Sequence, residues 1–317
     1  MKPTVLQLSP ILIPSVSEKL NDLYVVHKYF EIEDKEGFLA KHAQDVQGVV
    51  SGGHTGISKA LMERLTNLKV VAVNGVGTDA VDMTYAKSRG IHVTATFGAI
   101  TEDVADLAIG LLLASCRGIC SGDRFVRDGN WVKFPFPTAI PLSRRFSGMR
   151  VGIVGMGRVG RAVAKRALAF SCPIHYTDLK EMDDLPYRFV PDLVELARDS
   201  DALILCAAAD KAEGIINAKV LEALGKDGFL INIARGKLVS ETDLVTAIKA
   251  GTIAGAGLDV FVDEPNVPDA LLENNSVVMQ AHRASATWET RTAMGNMVLD
   301  SLAQGLSGQK PDMSFTT

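Results

Sequence analysis

The stretch Val151-Gly-Ile-Val-Gly155-Met-Gly157-Arg-Val-Gly160-Arg-Ala-Val-Ala164 reads as a short apolar strand, a G-x-G-x-x-G turn and the opening of a helix. Each glycine in this order has separate work. The first permits a tight turn, the second lets a pyrophosphate approach the backbone, and the third lets helix and strand pack closely. The helix start then offers unpaired N–H groups and the positive end of its dipole to phosphates. About 20 residues further on, Asp178 closes the next apolar run, where a carboxylate would accept from adenosine ribose hydroxyls. The glycine turn alone is a weak signal. With a strand before it, a helix after it and an acid at the expected distance, it predicts dinucleotide binding; the bland alternative for Asp178 is an ordinary strand-end acid.

Working outward, MRVGIVG, CPIHYTD, DALILCA, GFLINIA, AGAGLDV and SVVMQ form a series of apolar runs with helical segments between them. Continuous apolar runs are what a parallel sheet covered on both faces requires. Upstream, TVLQLS, LYVVHKYF, VQGVV, KVVAVN and IHVTA repeat the rhythm, with SKALMERLTNL as one of the intervening helices. Both halves are therefore expected to be α/β with parallel sheets. The segment TEDVADLAIGLLLASCR from Thr101 starts with a cap residue and acids and then turns apolar almost all round, which predicts a long, mostly buried helix joining the halves. Between Gly129 and Gly148 prolines and phenylalanines occur without periodicity, which predicts a projecting arm that seeks a partner subunit. From Ser285 the text becomes helical again.

A chain of 317 residues exceeds the usual single domain, so two domains are expected. A net charge of -4 without a basic block argues against a nucleic-acid surface. No apolar run reaches the ~18 to 20 residues that span a bilayer, and the N-terminal text reads as a first strand, not a signal peptide; no membrane partner and a cytoplasmic location are expected. Cys116, Cys120, Cys172 and Cys206 lack C-x-x-C spacing and a histidine set, so no metal is expected.

Three further segments end strands at the edge where open parallel sheets bind ligands: Ile231-Asn-Ile-Ala-Arg235-Gly236, Gly257-Leu-Asp259 through Glu264-Pro265, and Ala281-His282-Arg-Ala-Ser285. Beside a nicotinamide that exchanges hydride, the substrate oxygen has to exchange a proton, and an imidazole titrates in the right range. Glu264 would hold His282 in one tautomer and favour its protonated form. Arg235, always cationic and fork-shaped, suits a substrate carboxylate and can polarise the adjacent carbonyl. Arg235 as a structural ion-pair residue and Glu264 as a surface acid are the plainer readings. His27, His42, His92 and His175 read as structural.

The motifs HTGIS, NGVGTDAVD, TEDVADLAIGLLLA, GIVGMGRVG, INIARG, AGAGLDVF-x-x-EP and AHRASAT-x-ETR occur in fixed order, and over essentially its whole length the chain resembles the D-2-hydroxyacid dehydrogenases. The resemblance implies two Rossmann-like domains: a flavodoxin-like substrate domain over 1–98 and 286–317, and a NAD(P)-binding domain over 99–285 inserted into it, with the active site in the cleft. A dimerisation arm over about 119–147 and a homodimer go with it. Carried over by position, Arg235, Glu264 and His282 match the catalytic residues, and Gly53, Val76 and Gly77, with Arg235 and His282, the substrate contacts. The implied cofactor surface is Thr101, Gly155, Gly157, Arg158, Val159, Gly160, Asp178, Cys206, Ile233, Ala234 and Asp259, the last against the nicotinamide amide.

Ala281 departs from the proline usual before the catalytic histidine, and the surrounding text resembles the 2-ketogluconate reductase branch, while the rest also resembles glyoxylate/hydroxypyruvate and hydroxyphenylpyruvate reductases. The expected activity is NAD(P)H-dependent reduction of a small 2-keto acid, glyoxylate or hydroxypyruvate first, to the (R)-2-hydroxy acid. 2-Ketogluconate or hydroxyphenylpyruvate reduction is the alternative. A nicotinamide-nucleotide-sensing binding protein, as among corepressors related to this family, is the reading of another class. Asp178 favours NAD(H), since a carboxylate there repels a 2'-phosphate; Lys180 and Arg158 leave NADP(H) open.

Overall fold

The computed structural model describes residues 2–135, 140–208 and 212–316. The chain divides into two compact units, residues 1–100 with 285–317, and residues 101–284.

In the first unit β1 (Thr4–Gln7), β2 (Val25–Lys28), β3 (Val46–Gly52), β4 (Val70–Asn74) and β5 (His92–Ala95) form one sheet in the order β2-β1-β3-β4-β5. Every pairing is parallel. Alternation decides which side chains go to which face. Leu6, Val49, Val71, Val73 and Val93 point into one core, and Val5, Val50, Val70 and Ala72 into the other. The second face is covered by the helices Pro14–Leu23 and Trp288–Leu306, which bring Val16, Leu20, Val298, Leu299 and Leu302 to it.

In the second unit β6 (Val151–Val154), β7 (Ile174–Thr177), β8 (Arg188–Phe189), β9 (Ala202–Leu205), β10 (Phe229–Asn232), β11 (Gly255–Leu258) and β12 (Val277–Met279) are ordered β12-β11-β10-β9-β6-β7-β8, again all parallel. Every residue of β6, β9, β10 and β11 is buried, because helices cover both faces. The strand order reverses between β6 and β9, and open α/β sheets bind ligands outside the carboxyl ends at such a point. The helix Thr101–Arg117 packs on β10 and β11. Gly257 makes this approach possible, since a Cβ there would stand 2.9 Å from the Leu111 Cβ.

Two sequence expectations need adjustment. The strand β8 carries no apolar run and was not anticipated; its two residues add to the sheet edge beside β7. The arm expected over about 119–147 carries helical structure. It opens with helices Ile119–Arg127 and Asn130–Lys133, and Phe146 at its far end is buried against Phe170, with ring centroids 4.6 Å apart. Residues 136–139 of the expected arm lie outside the described residues. Among the described residues no single helix is long and apolar enough to cross a membrane; the helices Thr101–Arg117 and Ile119–Arg127 pass by length and composition only as a pair bent by 61°.

Candidate active site

The glycine turn follows β6 at the point of strand reversal. Gly155 has φ +93, and a Cβ there would stand 2.7 Å from the backbone of Ala207 beyond β9, so only glycine fits. A Cβ on Gly160 would collide with the Gly155 carbonyl, which fixes the third glycine by helix–turn packing. Gly157 differs. A Cβ there would meet nothing within 4 Å, so its backbone faces open space. It is also the N-cap of the helix Arg158–Leu168 and supplies no side-chain cap, which leaves the first-turn N–H groups for an anion. Turn and helix start thus fit a pyrophosphate.

Asp178 stands at the end of β7, as the spacing predicts. Its Oδ2 accepts from the Met156 N–H at 2.7 Å and its Oδ1 from the Leu179 N–H at 2.7 Å, so the acid braces the glycine turn. A carboxylate has about four acceptor sites, and two remain for ribose hydroxyls. Arg158 is exposed and Val159 half-buried on the helix start. Cys206 ends β9 beside the turn; burial pushes its thiol up to about 12, so it is an uncharged wall element. Thr101 is half-buried at the first position of its helix.

Arg235 lies beyond β10. Asn232 shapes this turn: its Nδ2 donates to the Arg235 carbonyl at 2.9 Å, and its Oδ1 accepts from the Ala234 N–H at 3.1 Å. The Arg235 guanidinium donates to the Ala234 carbonyl at 2.8 Å. Ile233 is buried and Ala234 half-buried on the same turn. Gly236 comes next, and a Cβ there would collide with the Phe261 carbonyl, so the arginine turn lies against the loop that carries Glu264. Sequence reasoning did not single out Asn232. Its signal was one polar residue inside the apolar run Phe229 to Ala234.

Glu264 and His282 are brought together. Glu264 Oε1 accepts from the Phe261 N–H at 2.9 Å, and Oε2 meets His282 Nδ1 at 2.8 Å. Both side chains keep partial exposure, 24% and 32%. An apolar cavity of about 430 Å³, with Phe261, Val267, Leu272 and Met279 in its wall, flanks the pair. Low-dielectric surroundings strengthen such a charge-assisted contact.

His282 has φ +52, a left-handed backbone uncommon outside glycine. Asp259 enforces it. The Asp259 carbonyl accepts from the His282 N–H at 2.8 Å, and its carboxylate accepts from the N–H groups of Arg283 at 2.7 Å and Ala284 at 3.0 Å. Asp259 is fully buried. Burial pushes its carboxyl up, and the two N–H groups and the imidazole pull it back. The sequence resemblance expects Asp259 at a nicotinamide amide; in the structure its oxygens hold the turn that carries His282.

In the first unit Gly53 follows β3, and Val76 and Gly77 follow β4; all three are half-buried at the carboxyl edge of the sheet. The turns abut, since a Cβ on Gly75 would stand 3.1 Å from the Gly53 nitrogen and one on Gly53 would stand 3.3 Å from the Gly77 carbonyl oxygen.

Residues 109–284 match the family described as D-isomer specific 2-hydroxyacid dehydrogenase, NAD binding domain. The chain is 43% identical to a 2-ketogluconate reductase of Gluconobacter oxydans, covering 95% of this chain and 94% of that one. It is 40% identical to a glyoxylate/hydroxypyruvate reductase A of Arabidopsis thaliana, covering 93% of each. The crystal structure of an NADPH-dependent glyoxylate/hydroxypyruvate reductase from Sinorhizobium meliloti in complex with NADP and malonate superposes with a TM-score of 0.88 at 38% identity, covering 99% of this chain and 97% of that one.

Proposed function

Because the chain belongs to the D-isomer specific 2-hydroxyacid dehydrogenase family, we propose that it reduces a short 2-keto acid, glyoxylate or hydroxypyruvate in the first instance, to the (R)-2-hydroxy acid. The observation that carries this reading is the Glu264 Oε2 to His282 Nδ1 contact of 2.8 Å. With Nδ1 on Glu264, Nε2 gives a proton to the substrate carbonyl oxygen, and Glu264 stabilises the imidazolium that gives it. A bound reduced nicotinamide supplies the hydride. Arg235 takes the substrate carboxylate with its planar fork and polarises the carbonyl beside it. In the first unit the N–H groups of Val76 and Gly77 receive the carboxylate, and Gly53 leaves room for it.

Asp178 at the ribose position makes NADH the preferred cofactor, since the same carboxylate repels the 2'-phosphate of NADPH. The protein works as a homodimer. Ile119, Trp131, Val132 and Leu142 are largely exposed, and a cavity of about 820 Å³ has Phe125, Ile140 and Leu142 in its wall, which supports a partner on this surface. Sedimentation at micromolar concentration is expected to give a dimer, and a monomer would overturn this part. The four free cysteines suit a reducing compartment, the cytoplasm.

A panel of 2-keto acids, followed by absorbance of the reduced cofactor, tests the activity. His282→Gln is expected to lower kcat by about 10² to 10⁴ while NADH affinity stays within about twofold. Near-normal turnover in that variant would remove His282 from the proton transfer.

A further inference from the structure

We propose that the first unit carries a subsite for a hydroxyl on the substrate's carbon chain, a polar notch formed by Ser9, Thr55 and Asn74 at the carboxyl edge of its sheet. The proposal rests on the 2-keto acid reading above and narrows it: the substrate bears a hydroxyl at C3 or beyond.

Strand register places the notch. Gln7 pairs with Val50, so Ser9 comes opposite Gly52, and Gly52 pairs with Asn74. Directly paired residues of parallel strands share a face, so the last row on this face reads Ser9, Gly52, Asn74. Gly52 contributes no side chain. Its neighbours in the row, Ser9 and Asn74, lie two strand spacings apart, roughly 10 Å. A Cβ at Gly52 would stand 3.0 Å from Ser9 Oγ and 3.6 Å from Thr55 Oγ1, which shows what lines one wall. There Ser9 Oγ donates to Thr55 Oγ1 at 3.2 Å.

Asn74 forms the other wall. Its Oδ1 is buried and has no hydrogen-bond partner among the described residues. An acceptor shut off from water without a partner costs stability, and rotation of the amide toward a ligand hydroxyl gives the oxygen a partner. The terminal torsion of asparagine is soft, so the amide can turn either its oxygen or its nitrogen to the ligand. A hydroxyl both donates and accepts, as do Ser9, Thr55 and an amide taken whole. Two residues earlier on this face the row is Gln7, Val50, Ala72, with an apolar middle; polarity appears where ligands bind, beside the reversal of strand order between β1 and β3.

The walls are held in place. The Gly56 N–H donates to the Gly52 carbonyl at 2.9 Å, Ser51 Oγ donates to the Gly56 carbonyl at 2.5 Å, and the Thr96 N–H donates to the Gly75 carbonyl at 2.9 Å. Asn74 adjoins the turn proposed for the substrate carboxylate, so a chain leaving that turn meets the notch within a few atoms. Small hydroxylated keto acids fit this chemistry; an aryl side chain would bury the amide and hydroxyls without partners.

The test compares kcat/KM for glyoxylate, pyruvate and hydroxypyruvate in the wild type, in Asn74→Ala and in the Ser9→Ala/Thr55→Val pair. Hydroxypyruvate and pyruvate differ by one hydroxyl, and glyoxylate has no C3. The wild type is expected to favour hydroxypyruvate over pyruvate by at least ~10-fold, about 1.4 kcal/mol. Asn74→Ala is expected to remove at least ~10-fold of that preference, the pair variant to reduce it in the same direction, and glyoxylate turnover to stay within ~2-fold, which also certifies the fold. Glyoxylate turnover with an unchanged hydroxypyruvate-to-pyruvate ratio in both variants would overturn the subsite alone, as would an equal loss on all three substrates. No turnover on any of the three in the wild type would overturn the reaction reading and the subsite with it.

Discussion

Asp259→Asn separates a residue that binds cofactor from one that holds the proton donor in place. The carboxylate is fully buried and accepts two backbone N–H groups, at 2.7 and 3.0 Å. An amide keeps one acceptor and sets an NH₂ against the other N–H. The loss is one charge-assisted bond, about 1.5–3 kcal/mol, with a further ~1–3 kcal/mol for two donors facing each other. Burial, which pushes the Asp259 carboxyl up, shows that a charge here is itself costly, so neutralisation returns part of the loss. The net penalty is of order 2–4 kcal/mol. It falls on a turn already under strain, since the left-handed backbone of His282 costs about 1–2 kcal/mol. If 1.4–2.8 kcal/mol of it reaches this turn, the equilibrium constant for holding His282 in position falls by about 10- to 100-fold. Single-turnover reduction at saturating NADH is therefore expected to slow by up to that factor, with NADH affinity from fluorescence titration within about twofold of wild type. A variant with an unchanged single-turnover rate and NADH binding weakened tenfold or more would refute this reasoning and return Asp259 to the cofactor.

Two other perturbations follow from contacts described above. Asp178→Ser is expected to move the ratio of kcat/KM for NADPH and NADH toward NADPH by at least ~10-fold, about 1.4 kcal/mol, and to lower thermal stability, because the bonds to the Met156 and Leu179 N–H groups go with it; a wild type that already prefers NADPH would place the basic neighbours in charge of specificity. Asp201 joins the starts of β6 and β9: burial pushes its carboxyl up, but its bonds to the Arg150 side chain and N–H outweigh this and hold it below the usual carboxylate range. A lowered folded-state value contributes stability above the unfolded value near 4, lost as pH falls through the folded one, so Asp201→Asn should melt lower than wild type at pH 7 and converge with it under acid. A melting difference that persists unchanged to pH 2 would show that charge is not the cause.

The parts of the molecule that were legible in the sequence are those whose physics is local. The glycine turn is one: a positive φ at Gly155 and the tight packing of Gly160 are demands of a few neighbouring atoms, and glycine is the only residue that meets them. The parallel strands were legible because burial on both faces writes continuous apolar runs, and β8 was not, because Arg188 and Phe189 pair at an edge without such a run. Phe146 was read with its proline-rich neighbours, whereas its environment is set by Phe170, distant in the chain. The same holds for the partner of Asp259. Its position at a strand end was visible, but that its oxygens meet Arg283 and Ala284 depends on β11 and β12 lying side by side. Asn232 was an ordinary polar residue until its bonds to Ala234 and Arg235 showed its place, and Asn74 until strand register did.

The division of the chain carries a consequence for how it is made. The helix Trp288–Leu306 supplies Val298, Leu299 and Leu302 to one face of a sheet whose strands all come from the first hundred residues. A ribosome adding ~5–20 residues per second takes roughly ten to forty seconds to cross the intervening segment Thr101–Ala284. During that interval Val5, Val50, Val70 and Ala72 have the cover of Val16 and Leu20 from the helix Pro14–Leu23, but not that of Val298, Leu299 and Leu302. The intervening segment is contiguous, so it can complete its own sheet first. The nascent chain thus carries one sheet face only partly covered until the helix Trp288–Leu306 has been made.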